Sequence, residues 1–150
     1  MAKICYDTSI FISYKSTRFP ADFLMSAVVV QEMTTGASDR REVAVWRVFG
    51  DGHERAGSLL VPTGVEWWQT GKILNSLMRG ERHKGSGKIP KLPPDEKNRL
   101  VRDILIAVTV KRAGALLVTE NVKDFERIRR YCKVRIASGR KHFGYGPGEG

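Results

Sequence analysis

Five short apolar runs, each followed by a segment of helical pattern, restrict this chain more than any other feature of its sequence. A short strand that feeds a helix before the next strand begins can return to the same sheet only in parallel. The alternation therefore predicts an α/β fold, a short and mostly parallel central sheet flanked by helices. The runs are Lys3 to Tyr6 (KICY), a less distinct one within Phe23 to Val28, Leu59 to Val61, Ala115 to Thr119 (ALLVT) and Lys133 to Ile136 (KVRI). The second is ambiguous, because FLMSAVVVQEM also suits the start of a helix.

Helix starts are legible between the runs. Thr63 with Glu66 three residues later forms a capping-box pattern before VEWWQTGKILNSLM, and Asp39 with Glu42 does the same before VAVWRVF. Trp67 and Trp68 fall on or beside an apolar stripe with Leu74 and Met78, which favours packing over base stacking, and Trp46 is read the same way. Lys97 to Ala113 reads as a long, mostly buried helix, with Leu100, Ala107 and Val110 on one face.

With 150 residues, 41% of them apolar, the chain suits one domain. The expected division is a domain over residues 1–138 and a flexible, basic, Gly-rich tail over 139–150. A second basic, Gly- and Pro-rich stretch, Arg79 to Pro94, reads as a loop between two helices. Lys and Arg number 26 against 16 Asp and Glu, so the net charge of +10 creates a field that attracts polyanions, nucleic acid foremost. No signal-peptide or membrane-spanning pattern is present, so a cytoplasmic protein is expected. Cys5 and Cys132 lack a CxxC partner and read as buried thiols, and His53, His83 and His142 are too scattered for a zinc site.

Four positions carry the chemistry. Asp7 follows the first strand directly, at the edge where open α/β sheets build their sites, although DTS before FISY is also a helix cap. Glu32 lies just past AVVV, where a first-turn acid would also complement a helix dipole. Asp103 shares the apolar face of the long helix, and a carboxylate aimed at a core demands a cation, a donor cluster or a metal. After ALLVT, Asn121 and Asp124 stand three apart, readable as a cap and a first-turn acid. Acids gathered at strand ends in a strongly basic protein are costly unless a divalent cation neutralises them, and hard oxygen donors select Mg²⁺ or Mn²⁺.

At these residues the sequence resembles the PIN-domain family, specifically the VapC-like toxins. The resemblance rests on DTS at Asp7, SAVVVQE ending at Glu32, DILIAVTVKRAGALLVTENVKDF from Asp103, and the Pro62 to Ile73 segment with its P-x5-W-x3-G-x-I spacing; it extends to about Ile136. It implies a three-layer α/β/α sandwich and a Mg²⁺- or Mn²⁺-dependent endoribonuclease. It also implies a homodimer and a small cognate antitoxin protein that silences the acidic groove. Carried over residue by residue, it implies that Asp7, Glu32 and Asp103 are metal-site acids, with Ser9 and Thr119 as polar supports. Many members carry Asp where Asn121 stands, so Asn121 and Asp124 share the fourth position.

Other readings compete. A haloacid-type phosphatase would carry a second Asp where Ser9 stands, and a receiver domain would show paired acids that MAKICY lacks. The strongest alternative is a non-catalytic basic α/β module that binds nucleic acid or a protein, its acids serving as caps and salt bridges.

Overall fold

The computed structural model describes residues 3–82 and 92–149. The chain begins with strand β1 (Ile4–Tyr6), helix α1 (Thr8–Ser13) and one 3₁₀ turn (Ser16–Arg18), followed by β2 (Met25–Ser26), α2 (Ala27–Thr35) and α3 (Arg40–Ala56). It continues through β3 (Leu59–Leu60), α4 (Gly64–Arg82), α5 (Pro94–Arg112), β4 (Leu116–Thr119), α6 (Val122–Arg129), β5 (Arg135–Ser138) and α7 (Gly139–Phe143).

Local sequence explains most of the boundaries. Ser26 Oγ accepts from the Val28 and Val29 amides, which places the ambiguous second run partly in strand and partly in helix. Asp39 Oδ1 accepts from the Glu42 amide at 2.8 Å, and α3 stops at Gly57, whose φ of 74° is the left-handed value that glycine adopts freely. The Thr63 and Glu66 capping box closes as expected, with bonds of 2.9 and 3.2 Å. Helix α5 starts three residues before the expected Lys97 because Pro94 and the acids Asp95 and Glu96 suit a first turn. Of the basic loop expected from Arg79 to Pro94, the first residues complete α4 and Pro94 opens α5; residues 83–91, His83 among them, lie outside the described residues.

Strands β1, β4 and β5 form a parallel sheet in that order, with Ile4 opposite Leu116 and Leu117 opposite Ile136. Strands β2 and β3 pair in parallel, and a bridge between Cys5 and Leu24 joins them to β1. Across the layer the order is therefore β3-β2-β1-β4-β5, and with its helices this is the three-layer α/β/α sandwich. The chain winds outward from β1 to β3, then crosses to the other side of β1 for β4 and β5. Such a reversal opens a crevice at the carboxyl ends of β1 and β4, where Asp7 and Thr119 stand. The fifth strand runs two residues beyond the expected Lys133 to Ile136, because its register against β4, Thr119 opposite Ser138, sets its end.

The second half of helix α5 is buried, every residue from Asp103 to Val110 being inside. Each fully buried Leu, Ile or Val there contributes roughly 1.5 to 3 kcal/mol, which fixes the helix and the carboxylate it carries. The two cysteines are buried free thiols. The tryptophans of α4 depart from expectation, since Trp67 and Trp68 are both exposed. The buried stripe runs through Glu66, Thr70, Ile73 and Leu77, and the two rings lie one and two positions off it. Polar residues occupy its first turns because Glu66 is held by Arg112 at 2.9 Å as well as by the cap. Trp46 instead packs edge-on against Phe11 and Phe49.

The segment from Gly139, whose composition suggests a flexible tail, forms α7, capped by Ser138 Oγ. Phe143 stacks on Tyr6 and Phe19, an aromatic cluster that outweighs the local abundance of glycine. Gly139 is required by close packing: a Cβ there would lie 2.6 Å from the Tyr14 ring and against the Glu120 carboxylate that Tyr14 Oη bonds at 2.8 Å. Gly139→Ala should therefore destabilise the protein by about 1 to 3 kcal/mol in urea denaturation. A midpoint equal to wild type would show that α7 does not dock there.

Candidate functional site

Strand β1 delivers Asp7 to the crevice with 3% of its surface exposed. Its Oδ2 accepts from Thr119 Oγ1 at 2.8 Å and from Ser9 Oγ at 2.9 Å. Each hydroxyl is itself held by a backbone donor, the Asn121 amide on Thr119 and the Glu120 amide on Ser9. The end of β4 thus orients Asp7 through two hydroxyls whose only protons point at the carboxylate. Asp7 occupies the N-cap position of α1, where the Thr8 and Ser9 amides favour its charge, yet it makes no capping hydrogen bond. Burial nevertheless outweighs all these donors and raises its pKa.

Glu32, in the second turn of α2, accepts from Thr8 Oγ1 at 3.2 Å and lies 3.5 Å from Arg102 Nε. Its pKa is also raised, first by burial and then by Asp7, against the opposing pull of Arg102. Asp103 projects from α5 with 8% exposure and makes no hydrogen bond among the described residues. Its pKa is pushed up to about 8 by burial and by Asp7, Glu32 and Asp124, with Arg99 one turn earlier only partly offsetting them. Four acids thus share one electrostatic field.

The remaining expected residues divide. Asp124, half-buried in the first turn of α6, belongs to that field through its effect on Asp103. Asn121 is exposed at the N-cap of α6 and its side chain makes no capping bond; as a neutral amide it takes no part in the coupling of the acids. Two basic partners escaped the sequence reading. Arg99 was findable as the residue four before Asp103 on one helix face, whereas the pairing of Arg102 with Glu32 spans two helices and leaves no local signal.

No family model matches the chain, and no curated protein sequence matches it. Solved structures do. Over 92% of this chain and 98% of the other, it is similar to a chain from DNA-bound VapBC of Salmonella typhimurium, with a TM-score of 0.59 and 24% identity. A chain of VapBC-1 from nontypeable Haemophilus influenzae covers 90% of this chain and 96% of its own length, with a TM-score of 0.58 and 20% identity. The fold is that of a VapC-like PIN domain. A chain of FitAB bound to an IR36 DNA fragment shares it, with a TM-score of 0.51 and 15% identity over 90% of this chain and 94% of the other.

The VapC-like PIN fold implies a divalent cation, and the site fits one in donor chemistry. Carboxylate oxygens are the hard donors that Mg²⁺ and Mn²⁺ select, and a buried acid raised by its acidic neighbours is one whose charge a cation would restore. As they lie, no three His, Cys, Asp or Glu side chains among the described residues are grouped to hold an ion. Among the described residues of this PIN fold, no helix is long and apolar enough to cross a membrane.

Proposed function

We propose that this protein is a metal-dependent endoribonuclease that hydrolyses RNA phosphodiester bonds, the toxin of a VapBC-type toxin-antitoxin pair. The observation that carries the reading is Asp103, a buried acid without a hydrogen bond among the described residues, whose pKa is raised by burial and then by three acidic neighbours at the crevice where the sheet reverses. Acids gathered so that each raises the next are a pattern that sites using a cation share.

Asp7, Glu32 and Asp103 would hold Mg²⁺ or Mn²⁺, with Asp124 and the exposed Asn121 at the outer edge. When bound, the ion would lower the pKa of a water and offset charge on the phosphate and the leaving oxygen. The chain's own residues supply the order. Ser9 and Thr119 fix the Asp7 carboxylate in one orientation. Arg102 balances Glu32, and its guanidinium would suit a phosphate oxygen of the substrate. The net charge of +10 draws the RNA backbone to the surface without reading its sequence. The similar structures are VapBC and FitAB assemblies, which supports a small antitoxin protein as partner. A homodimer and a cytoplasmic location complete the reading.

Purified protein should cut single-stranded or loop RNA with Mg²⁺ or Mn²⁺ and fall silent in excess chelator. Cleavage undiminished by chelator, once contaminating nucleases are excluded, would overturn the mechanism. One observation favours the rival reading of a non-catalytic basic module: Asp7 and Glu32 already have donors of their own. Calorimetric titration with Mn²⁺ separates the two, because the module gives no heat of binding that depends on Asp7 or Asp103.

A further inference from the structure

Residues of α4, the end of α5 and the segment just after α6 line an open recess of about 680 Å³, large enough for a small organic ligand. Ile73, Val108 and Cys132 contribute apolar surface. Two aromatic rings line it, Trp68 from α4 and Tyr131 from beyond α6, and they remain 65% and 43% exposed. The Tyr131 hydroxyl reaches the Ser76 carbonyl at 3.4 Å, which ties its ring to α4. Large aromatic rings left in water on a formed recess offer faces for a flat ligand.

The charges select its chemistry. Arg112 is occupied by Glu66 and by the Val61 carbonyl. Lys72 and Lys111 have no acidic partner among the described residues; Lys72 lies over the Trp68 ring at 5.4 Å, and Lys111 acts on the Cys132 thiol. With Glu66 neutralised by Arg112, the recess offers two ammonium groups without an acidic partner among the described residues, one of them over the Trp68 ring, beside two aromatic side chains. A ligand that satisfies both features is planar at one end and anionic at the other, which is the chemistry of a nucleotide.

A second observation sets its context. Tyr131 also borders a neighbouring basic groove with Lys123, Arg130 and Lys133, which follows α6. The first turn of α6 carries Asp124, one of the acids acting on Asp103. Eight residues at about 1.5 Å each make α6 roughly 12 Å long, and the groove runs from Lys123, beside Asp124 in sequence, to Tyr131 at the aromatic recess.

We propose that this recess binds an unstacked nucleotide of the RNA strand, an exosite joined to the carboxylates by the basic groove along α6. The inference rests on RNA being the substrate. Stacking on Trp68 and Tyr131 would hold the base, and Lys72 and Lys111 the adjoining phosphate.

The test is the affinity of a labelled single-stranded RNA oligonucleotide in excess chelator, read by fluorescence anisotropy. Trp68→Ala should weaken binding about 5- to 100-fold and Trp68→Phe far less, because any aromatic face stacks a base. Lys111→Ala should weaken it and reduce the salt dependence by about one counterion. Adenosine monophosphate should displace the oligonucleotide from wild type and bind Trp68→Ala poorly. In cleavage assays with Mn²⁺, Trp68→Ala should raise KM and leave kcat unchanged. Wild-type affinity and KM in Trp68→Ala, with an unaltered circular dichroism melt, would overturn the exosite and leave the nuclease reading intact. RNA bound through Trp68 but left uncut with Mn²⁺ would do the opposite. An oligo-glutamate peptide that binds through Trp68 where RNA does not would make the recess a peptide site and overturn the proposal.

Discussion

Asp103→Asn should abolish RNA cleavage and yet melt higher than wild type in excess chelator. The activity loss follows from removing a carboxylate that would hold the cation, a contribution of several kcal/mol, so kcat/KM should fall on the order of 100-fold or more. The stability gain follows from burial. Among the described residues Asp103 has no hydrogen bond to lose, and burial and the charges of Asp7, Glu32 and Asp124 oppose its ionisation. Its amide counterpart keeps the shape without the charge, though a buried amide without partners costs about 1 to 3 kcal/mol. A net gain of about 0.5 to 2 kcal/mol is typical when a functional compromise is relieved. Added Mn²⁺ should then stabilise wild type far more than the variant, since binding to the native state raises stability by mass action. A variant that melts several kcal/mol lower and ignores metal would mean that Asp103 is a structural ion-pair partner, with Arg99 the obvious candidate.

Wild-type protein in chelator should lose stability steadily as pH rises from about 4 to 8. Between the ordinary carboxylate value of 3.8 and about 8, Asp103 keeps its proton in the folded chain and loses it in the unfolded one. The native state then binds more protons, so raising the pH favours unfolding. Below this window both states are protonated and Asp103 contributes no slope; above it both are ionised and the loss levels off. Each pKa unit is worth about 1.4 kcal/mol, so the accumulated cost at the upper end is on the order of 5 kcal/mol. Glu32 and Asp7, both raised, act in the same direction. Asp103→Asn should lose the Asp103 share of the slope and keep that of Glu32 and Asp7, and wild type with Mn²⁺ should show a flattened or reversed slope, because the cation binds the ionised acids and releases their protons. Urea denaturation across this range, with and without Mn²⁺, measures it. A wild-type slope unchanged by Asp103→Asn would place the proton elsewhere.

The site was partly legible because its acids sit at positions that local patterns mark. Asp7 ends a strand, Asp103 interrupts an apolar helix face, and Asp124 follows β4 at first-turn spacing. Asn121, at the same strand end, has an exposed side chain, which sequence spacing does not foretell. Arg102 is a second case, because its partner Glu32 lies on a different helix. Trp67 and Trp68 were read as packed from their neighbours, but the buried stripe of α4 follows the Glu66 to Arg112 ion pair, whose partner lies 46 positions away.

Period, caps and strand-helix alternation by themselves determined the order of elements and the fold class, because those are set by interactions within a few residues. The same local signals placed the Thr63 and Glu66 cap and the buried course of α5. The tertiary structure alone decided which acids share a field, since proximity among Asp7, Glu32, Asp103 and Asp124 arises where the sheet reverses between β1 and β4. It also decided that the glycine-rich segment after Ser138 folds, because burial of Phe143 against Tyr6 and Phe19 joins residues more than a hundred positions apart, and such contacts outweigh local flexibility.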